Sequence, residues 1–127
     1  RTSLNLSWSF DGDFTSESGS RAFIDFKRKG LKNIAIFGCN DHSCFGFMKA
    51  ANEHGYKIPE DFIIAGYDNL SFCESITPEL TSISTDFGSL GNQVIQTIEN
   101  MISKKKEIIG QVSMIPVKIV IRKSTKT

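Results

Sequence analysis

The chain has 127 residues, 39% of them hydrophobic and 23% charged, with 15 basic against 14 acidic side chains; its mean hydropathy is -0.15. A chain this long buries roughly two-thirds of its unfolded surface, enough for a core without disulfide or metal staples. It is too short for a two-lobed enzyme, it lacks the run of ~20 apolar residues that a membrane span requires, and its near-neutral balance argues against a broad nucleic-acid footprint.

The start, Arg1-Thr2-Ser3-Leu4, does not read as a signal peptide. The charge balance averages two unlike parts: residues 1–103 hold 8 basic and 13 acidic side chains, a net of -5, and residues 104–127 hold 7 basic and 1 acidic, a net of +6. The core of the basic end, Lys104-Lys105-Lys106, reads as a solvated helix terminus, where cations meet the negative end of the helix dipole. Cys39, Cys44 and Cys73 are an odd set without C-x-x-C spacing, and the two histidines are too sparse among them for zinc. They read as reduced cytosolic thiols, and neither metal nor cofactor is expected.

In chain order, Leu4, Leu6, Trp8 and Phe10 alternate with polar residues, the period of a strand buried on one face. Asp11-Gly12-Asp13 breaks it. Thr15 can then cap a helix whose Ala22, Phe23 and Phe26 recur at three-to-four spacing until Gly30 stops it. The continuous apolar run within 33–38 predicts a strand covered on both faces. Asp41 can cap a second helix with Cys44, Phe45, Phe47, Met48 and Ala51 on its apolar side and Gly55 as its stop. Phe62–Gly66 and Leu80–Ser84 read as further strands. Asp86 opens the longest helix, with Phe87, Leu90, Val94, Ile98, Met101 and Ile102 at a 3.6-residue period. Val112–Ile115 and Val117–Ile121 close the chain as strand-like pieces around Pro116.

This alternation predicts an α/β three-layer sandwich with a mostly parallel sheet. In such sheets ligands bind at the carboxyl ends of the strands. Those ends carry Asp11, Asp13 and Phe14; Asn40 and Asp41; Tyr67, Asp68 and Asn69; and Thr85, Asp86 and Phe87. Aromatic faces with directional Asn and Asp groups suit a small polar ligand such as a sugar or purine. Phosphate fits poorly, because no glycine-rich phosphate loop is present and carboxylates repel an anion. Each residue also has a plainer role: Asp41 and Asp86 as caps, Asn40 as a bridge of turn amides, Phe14 and Phe87 as core, Asp68 as a turn residue, Tyr67 as packing. Catalysis is not expected. A phosphoacceptor site lacks its lysine, a Ser-His-Asp set lacks its nucleophile elbow, and Cys44 at a helix start has no placed base.

Four motifs occur in order over some 110 residues: Gly12-Asp13-Phe14-Thr15-Ser16-Glu17-Ser18-Gly19 with Arg21-Ala22; Ala35-Ile36-Phe37 with Asn40-Asp41 and Gly46; Ile58-Pro59-Glu60-Asp61 leading to Gly66-Tyr67-Asp68-Asn69; and Thr77-Pro78-Glu79-Leu80-Thr81-Ser82-Ile83. Together with Ile121-Arg122-Lys123-Ser124 they resemble the effector-binding domain of the LacI/GalR family of bacterial transcription repressors. The resemblance implies one lobe of a type I periplasmic-binding-protein-like fold. It divides the chain into 1–84 as second lobe, 85–111 as crossover and long helix packed on a first lobe, and 112–127 as closing strands and basic tail. It implies an effector site at Phe14, Asn40, Asp68, Thr85 and Phe87, and a homodimer through the helix after the Asn-Asp motif and the segment after Gly-Tyr-Asp, with Phe45, Phe47, Met48 and Phe72 at the interface. DNA would be contacted only through a headpiece absent from this chain, which itself begins after the crossing from the first lobe. The expected protein is cytoplasmic and touches no membrane. Ser20 and Asn33 depart from the family pattern, which often has an aromatic residue and a proline there. The alternative is the matching lobe of a periplasmic sugar-binding transport protein.

Overall fold

Residues 5–104 and 112–126 are described by the computed structural model. Helix α1 (Ser16–Arg28) starts where Thr15 Oγ1 accepts the Ser18 amide, and the chain leaves it through Gly30 at φ +64°. Strand β1 (Ala35–Phe37) leads to α2 (Asp41–Glu53), after which Gly55 reverses direction at φ +78°. Strand β2 (Ile63–Tyr67), a 3₁₀ turn at Ser71–Glu74 and β3 (Thr81–Thr85) follow, then α3 (Phe87–Lys104), β4 (Val117–Val120) and a last 3₁₀ turn at Lys123–Thr125. The sheet order is β1-β2-β3-β4, with the first two pairings parallel and the last antiparallel. The expected α/β class and mostly parallel sheet are therefore what the chain adopts.

Alternation along the strands puts Ile36, Ile64, Gly66 and Ser82 on one face. Ile64 is buried there, and a Cβ on Gly66 would run into Asp41 Oδ1 of α2. Between this face and the two helices lies a core of interlocked rings: Phe23 meets Phe47 edge-on at 5.4 Å, and Phe26 meets Phe62 at 5.5 Å. Burying each ring contributes roughly 1.5–3 kcal/mol. The helices themselves approach closely, because a Cβ at Gly19 would strike the Ser43 carbonyl and one at Gly46 the Ser16 carbonyl.

The expected strand at Leu4–Phe10 does not form over its described residues, 5–10; Leu4 lies outside them. The segment is held by Trp8, whose ring packs on Phe26 and Phe47 and whose Nε1 donates to Asp25 Oδ2 at 3.1 Å. Side-chain docking thus replaces backbone pairing, and a cavity of about 530 Å³ separates the segment from β1. For the same reason β1 is an edge strand with Phe37 58% exposed, not one covered on both faces. Val112–Ile115 is also not a strand, since β4 already occupies the edge of β3 and Pro116 contributes no amide to extend the ladder. The Lys104–Lys106 reading falls largely outside the described residues.

Two hubs tie loops to the sheet. Asp41 is fully buried and accepts from Leu70 N at 2.8 Å, Ser82 Oγ at 2.6 Å and Cys73 Sγ at 3.1 Å. It is the first residue of α2; the expected cap on that helix is one residue earlier, at Asn40. Near the other end, Ser124 Oγ donates to the Ile64 carbonyl at 2.7 Å and accepts from Thr81 N at 2.9 Å. Arg122, also buried, donates to the Leu80 carbonyl, Asn69 Oδ1 and Glu74 Oε1 within 2.9 Å. Part of the basic end therefore holds the sheet together.

Replacing Asp41 with Ala leaves three donors without their acceptor and is expected to lower the unfolding free energy by about 3 kcal/mol. Urea denaturation followed through Trp8, the single tryptophan, measures this, and a loss below about 1 kcal/mol would mean that water replaces the carboxylate.

Candidate functional site

Because β1, β2 and β3 run parallel, Asn40 and Asp68, which follow β1 and β2, and Thr85, which ends β3, lie at one end of the sheet. Phe14 joins them from the loop that enters α1. Its ring is 62% exposed, and its carbonyl accepts from Asn40 Nδ2 at 2.8 Å. Thr85 Oγ1 donates to Tyr67 Oη at 3.3 Å, so the second and third strand ends are linked by hydroxyls. Phe87 opens α3 with its ring 58% exposed. Neither aromatic ring is core, and both are free to stack on a ligand.

The backbone here is unusual. Among the described residues, positive φ outside glycine occurs at Phe14 (64°), Asp68 (107°), Asn69 (53°) and Asn33 (53°); Asp68 and Asn69 directly follow β2, and Phe14 lies in the loop entering α1. Such conformations persist only where neighbours over-determine them. Asp68 is held by its amide on the Ile83 carbonyl at 2.9 Å, Asn69 by its amide on Ser82 Oγ at 3.0 Å and by Arg122 on its Oδ1 at 2.8 Å. At Asn33 the positive φ has a simple consequence: proline, locked near -65°, could not stand there.

Two rim carboxylates are tuned in opposite directions. Partial burial, followed by the nearby Asp41 carboxylate, pushes Asp68 above the ordinary aspartate value, and His42 partly offsets this. Asp13 accepts the hydroxyl and amide of Thr15 and pairs with Arg21 at 3.0 Å; these hold its carboxyl down to about 2. Buried Cys44 and Cys73 are pushed up to about 12, chiefly by desolvation, which leaves neither thiol nucleophilic. Among the described residues no group of three His, Cys, Asp or Glu side chains could hold a metal ion.

The expected interface residues divide. Phe45 and Phe72 are half-buried at the surface and meet at 5.7 Å, with exposed His42 at 5.2 Å from Phe72. Phe47 and Met48 do not belong with them: at 3% and 1% exposure they point into the ring core and leave no surface for a partner. Sequence reasoning took Asp41 for a cap and missed it as a hub, since its partner Ser82 lies 41 residues away and no local pattern signals it. The influence of His42 on Asp68 was equally invisible.

A family model described as a periplasmic binding protein-like domain matches residues 9–125, and the chain belongs to that family. More particularly, it resembles transcription regulators. NtdR of Bacillus subtilis strain 168, the regulator of the NTD biosynthesis operon, is 35% identical over 118 residues, which are 93% of this chain and 36% of that protein. The structure of a LacI family transcriptional regulator from Enterococcus faecium with bound ribose is 30% identical, with a TM-score of 0.77 over 90% of this chain and 42% of that one. The lac repressor dimer bound to operator and the anti-inducer ONPF superposes with a TM-score of 0.81 at 28% identity, over 91% of this chain and 40% of that one. The chain thus spans well under half the length of these relatives.

The carboxylates predict a pH signature. With its folded pKa depressed, Asp13 stabilises the fold above 3.8, and that contribution is lost as pH falls from 3.8 towards 2. Asp68, with its folded pKa raised, opposes folding once ionised and is relieved on protonation. Carboxyl ¹³C NMR is expected to show Asp68 titrating above 3.8 and Asp13 near 2; coincident midpoints would contradict the site geometry.

Proposed function

We propose that this chain is the ligand-sensing and dimerisation module of a DNA-binding transcriptional regulator of the LacI/GalR type, with a small sugar or purine as effector. The observation that carries the reading is that the parallel strands place Asn40, Asp68, Thr85 and the exposed Phe87 at the same end of the sheet, with the exposed Phe14 bonded to Asn40 there. Rings stack on a sugar or base face, and a carboxylate and hydroxyl read its hydroxyls or ring nitrogens. The ribose held by the Enterococcus faecium relative supports a sugar. This is binding chemistry, and no residue of the site is assigned a catalytic role.

In this reading residues 1–84 form the second lobe, residues 85–111 cross to a first lobe and pack their helix on it, and residues 112–127 return to close the sheet. The exposure of Leu90, Val94, Ile98 and Met101 along α3 supports that packing. The effector binds one arrangement of the lobes better than the other, and that difference in affinity is the energy which resets operator binding. DNA contact falls to a headpiece outside these residues, and the regulator acts in the cytoplasm without touching a membrane. Among the described residues no helix is long and apolar enough to cross one. Phe45 and Phe72 lie at the twofold interface, as the dimer in the lac repressor structure supports.

The test uses the full-length product of the coding sequence. D-ribose is expected to raise its melting temperature, and Asp68→Ala to abolish the shift while leaving the fold intact. An undiminished shift in the Asp68 variant would overturn the site assignment. A secretory signal upstream would favour the transport alternative, and a helix-turn-helix there would favour regulation. For the dimer, sedimentation is expected to show association at high micromolar concentration that Phe72→Asp weakens; a strict monomer would count against the interface.

A further inference from the structure

Asp68 stands at φ +107°, a value that residues other than glycine seldom take, and Asn69 follows at +53°. The direction in which the Asp68 carboxylate leaves the sheet is therefore set by this turn, and the turn is held through Asn69. The Asn69 amide donates to Ser82 Oγ at 3.0 Å, and its Nδ2 donates to Ser84 Oγ at 3.4 Å. Both partners belong to β3, the strand next to β2. The shortest bond of the three comes from elsewhere: Asn69 Oδ1 accepts from Arg122 Nη2 at 2.8 Å, across 53 positions of the chain.

Arg122 lies two residues beyond β4 and is placed by its own backbone. Its amide donates to Thr81 Oγ1 at 2.7 Å, and its carbonyl accepts that hydroxyl at 3.1 Å. The buried guanidinium then reaches into the segment between β2 and β3, where it donates to the Leu80 carbonyl, Asn69 Oδ1 and the exposed Glu74 Oε1. Three acceptors around one planar group suit arginine, whose donors form a rigid fork. A lysine carries its donors on a single atom at the end of a flexible stem and offers no such fork. The turn that presents Asp68 is thus completed only after the chain has passed through α3 and β4.

We propose that Arg122 is a positioning residue for the effector site: its guanidinium holds Asn69 so that the left-handed turn presents the Asp68 carboxylate at the rim, and it acts on ligand binding through that turn without touching the ligand. The effect on binding rests on the ligand site proposed above. The hold on the turn does not, and the two can be tested apart.

Arg122→Lys keeps the charge and removes the fork. In the ligand-free chain, ¹⁵N relaxation is expected to report Asp68 and Asn69 amide order parameters falling from about 0.85 to below about 0.6. The Asp68 carboxyl ¹³C midpoint is expected to drop towards 3.8 as the turn opens to water. Glu74→Gln alters the exposed partner of the same guanidinium and is expected to leave both readouts as in the wild type. Unchanged order and midpoint in Arg122→Lys overturn the proposal, and so does an equal loss in the two variants. Should Arg122→Lys not fold, Asn69 tests the same bond from its other end. Asn69→Gly tolerates the positive φ and deletes the acceptor, whereas Asn69→Asp keeps an acceptor for the guanidinium. Asp68 is expected to loosen in the first and stay ordered in the second; like behaviour in both overturns the proposal. D-ribose binding to the full-length protein is the second readout. Arg122→Lys is expected to weaken it about tenfold, the span of one hydrogen bond to a charged group, with no further loss when Asn69→Gly is added. Additive losses would overturn action through Asn69. Absence of ribose binding by the wild type would count against the sugar reading of the site, and the order parameters would still decide whether Arg122 holds the turn.

Discussion

The arrangement of the strand ends depends on one buried carboxylate. Asp41 gathers an amide from the loop after β2, a hydroxyl from β3 and a thiol from the 3₁₀ turn between them. A polar group taken out of water must find partners inside or forfeit its hydration, and these three bonds are what Asp41 finds. They leave Gly66 as the residue that fits beneath α2, since a side chain there would occupy the space of Asp41 Oδ1. They also fix Leu70, the residue directly after the left-handed pair Asp68 and Asn69. The strained turn that presents Asp68 is thus anchored from one side by Asp41 and from the other by Arg122 on Asn69.

This anchoring bears on ligand recognition. In the effector site proposed above, a rim built from over-determined turns would already be close to its binding shape, leaving little ordering to be done on binding. The two exposed rings differ in this respect. Phe14 is tethered through its carbonyl to α2, whereas Phe87 stands on the first turn of a helix whose apolar side is uncovered. The wall that carries Phe14 and Asp68 is thus tied to the sheet and α2 by more bonds than the start of α3 that carries Phe87.

Much of the fold could be read from local pattern, because its causes are local. The Thr15 cap, the reversals at Gly30 and Gly55, the apolar run of β2 and the long helix after Asp86 each follow from a few neighbouring residues. The failures share a different cause. Alternation from Leu4 to Phe10 reports which side chains are half-buried, and Trp8 achieves that burial by ring packing and one bond to Asp25, without any strand partner. Phe47 and Met48, expected at the dimer interface, are buried instead, Phe47 between Phe23 of α1 and Phe62. The polar end of the sheet could be located from topology alone. The division of labour between Asn40 and Asp41, adjacent residues with different tasks, could not, because it is set by Phe14, Leu70 and Ser82 arriving from three other parts of the chain.

The stitching of Arg122 and Ser124 into the sheet has a kinetic side. Their bonds reach back 41 residues to Thr81 and 60 to Ile64, so they close large loops, and loops of that span are slow to close and contribute nothing until they do. The contact at the centre of the ring core, Phe23 on Phe47, closes a shorter loop. Wherever β4 is not in place, β3 has an open edge, and such an edge is where one molecule can add to another. Arg122 and Ser124, which follow β4 and anchor it, therefore also guard that edge.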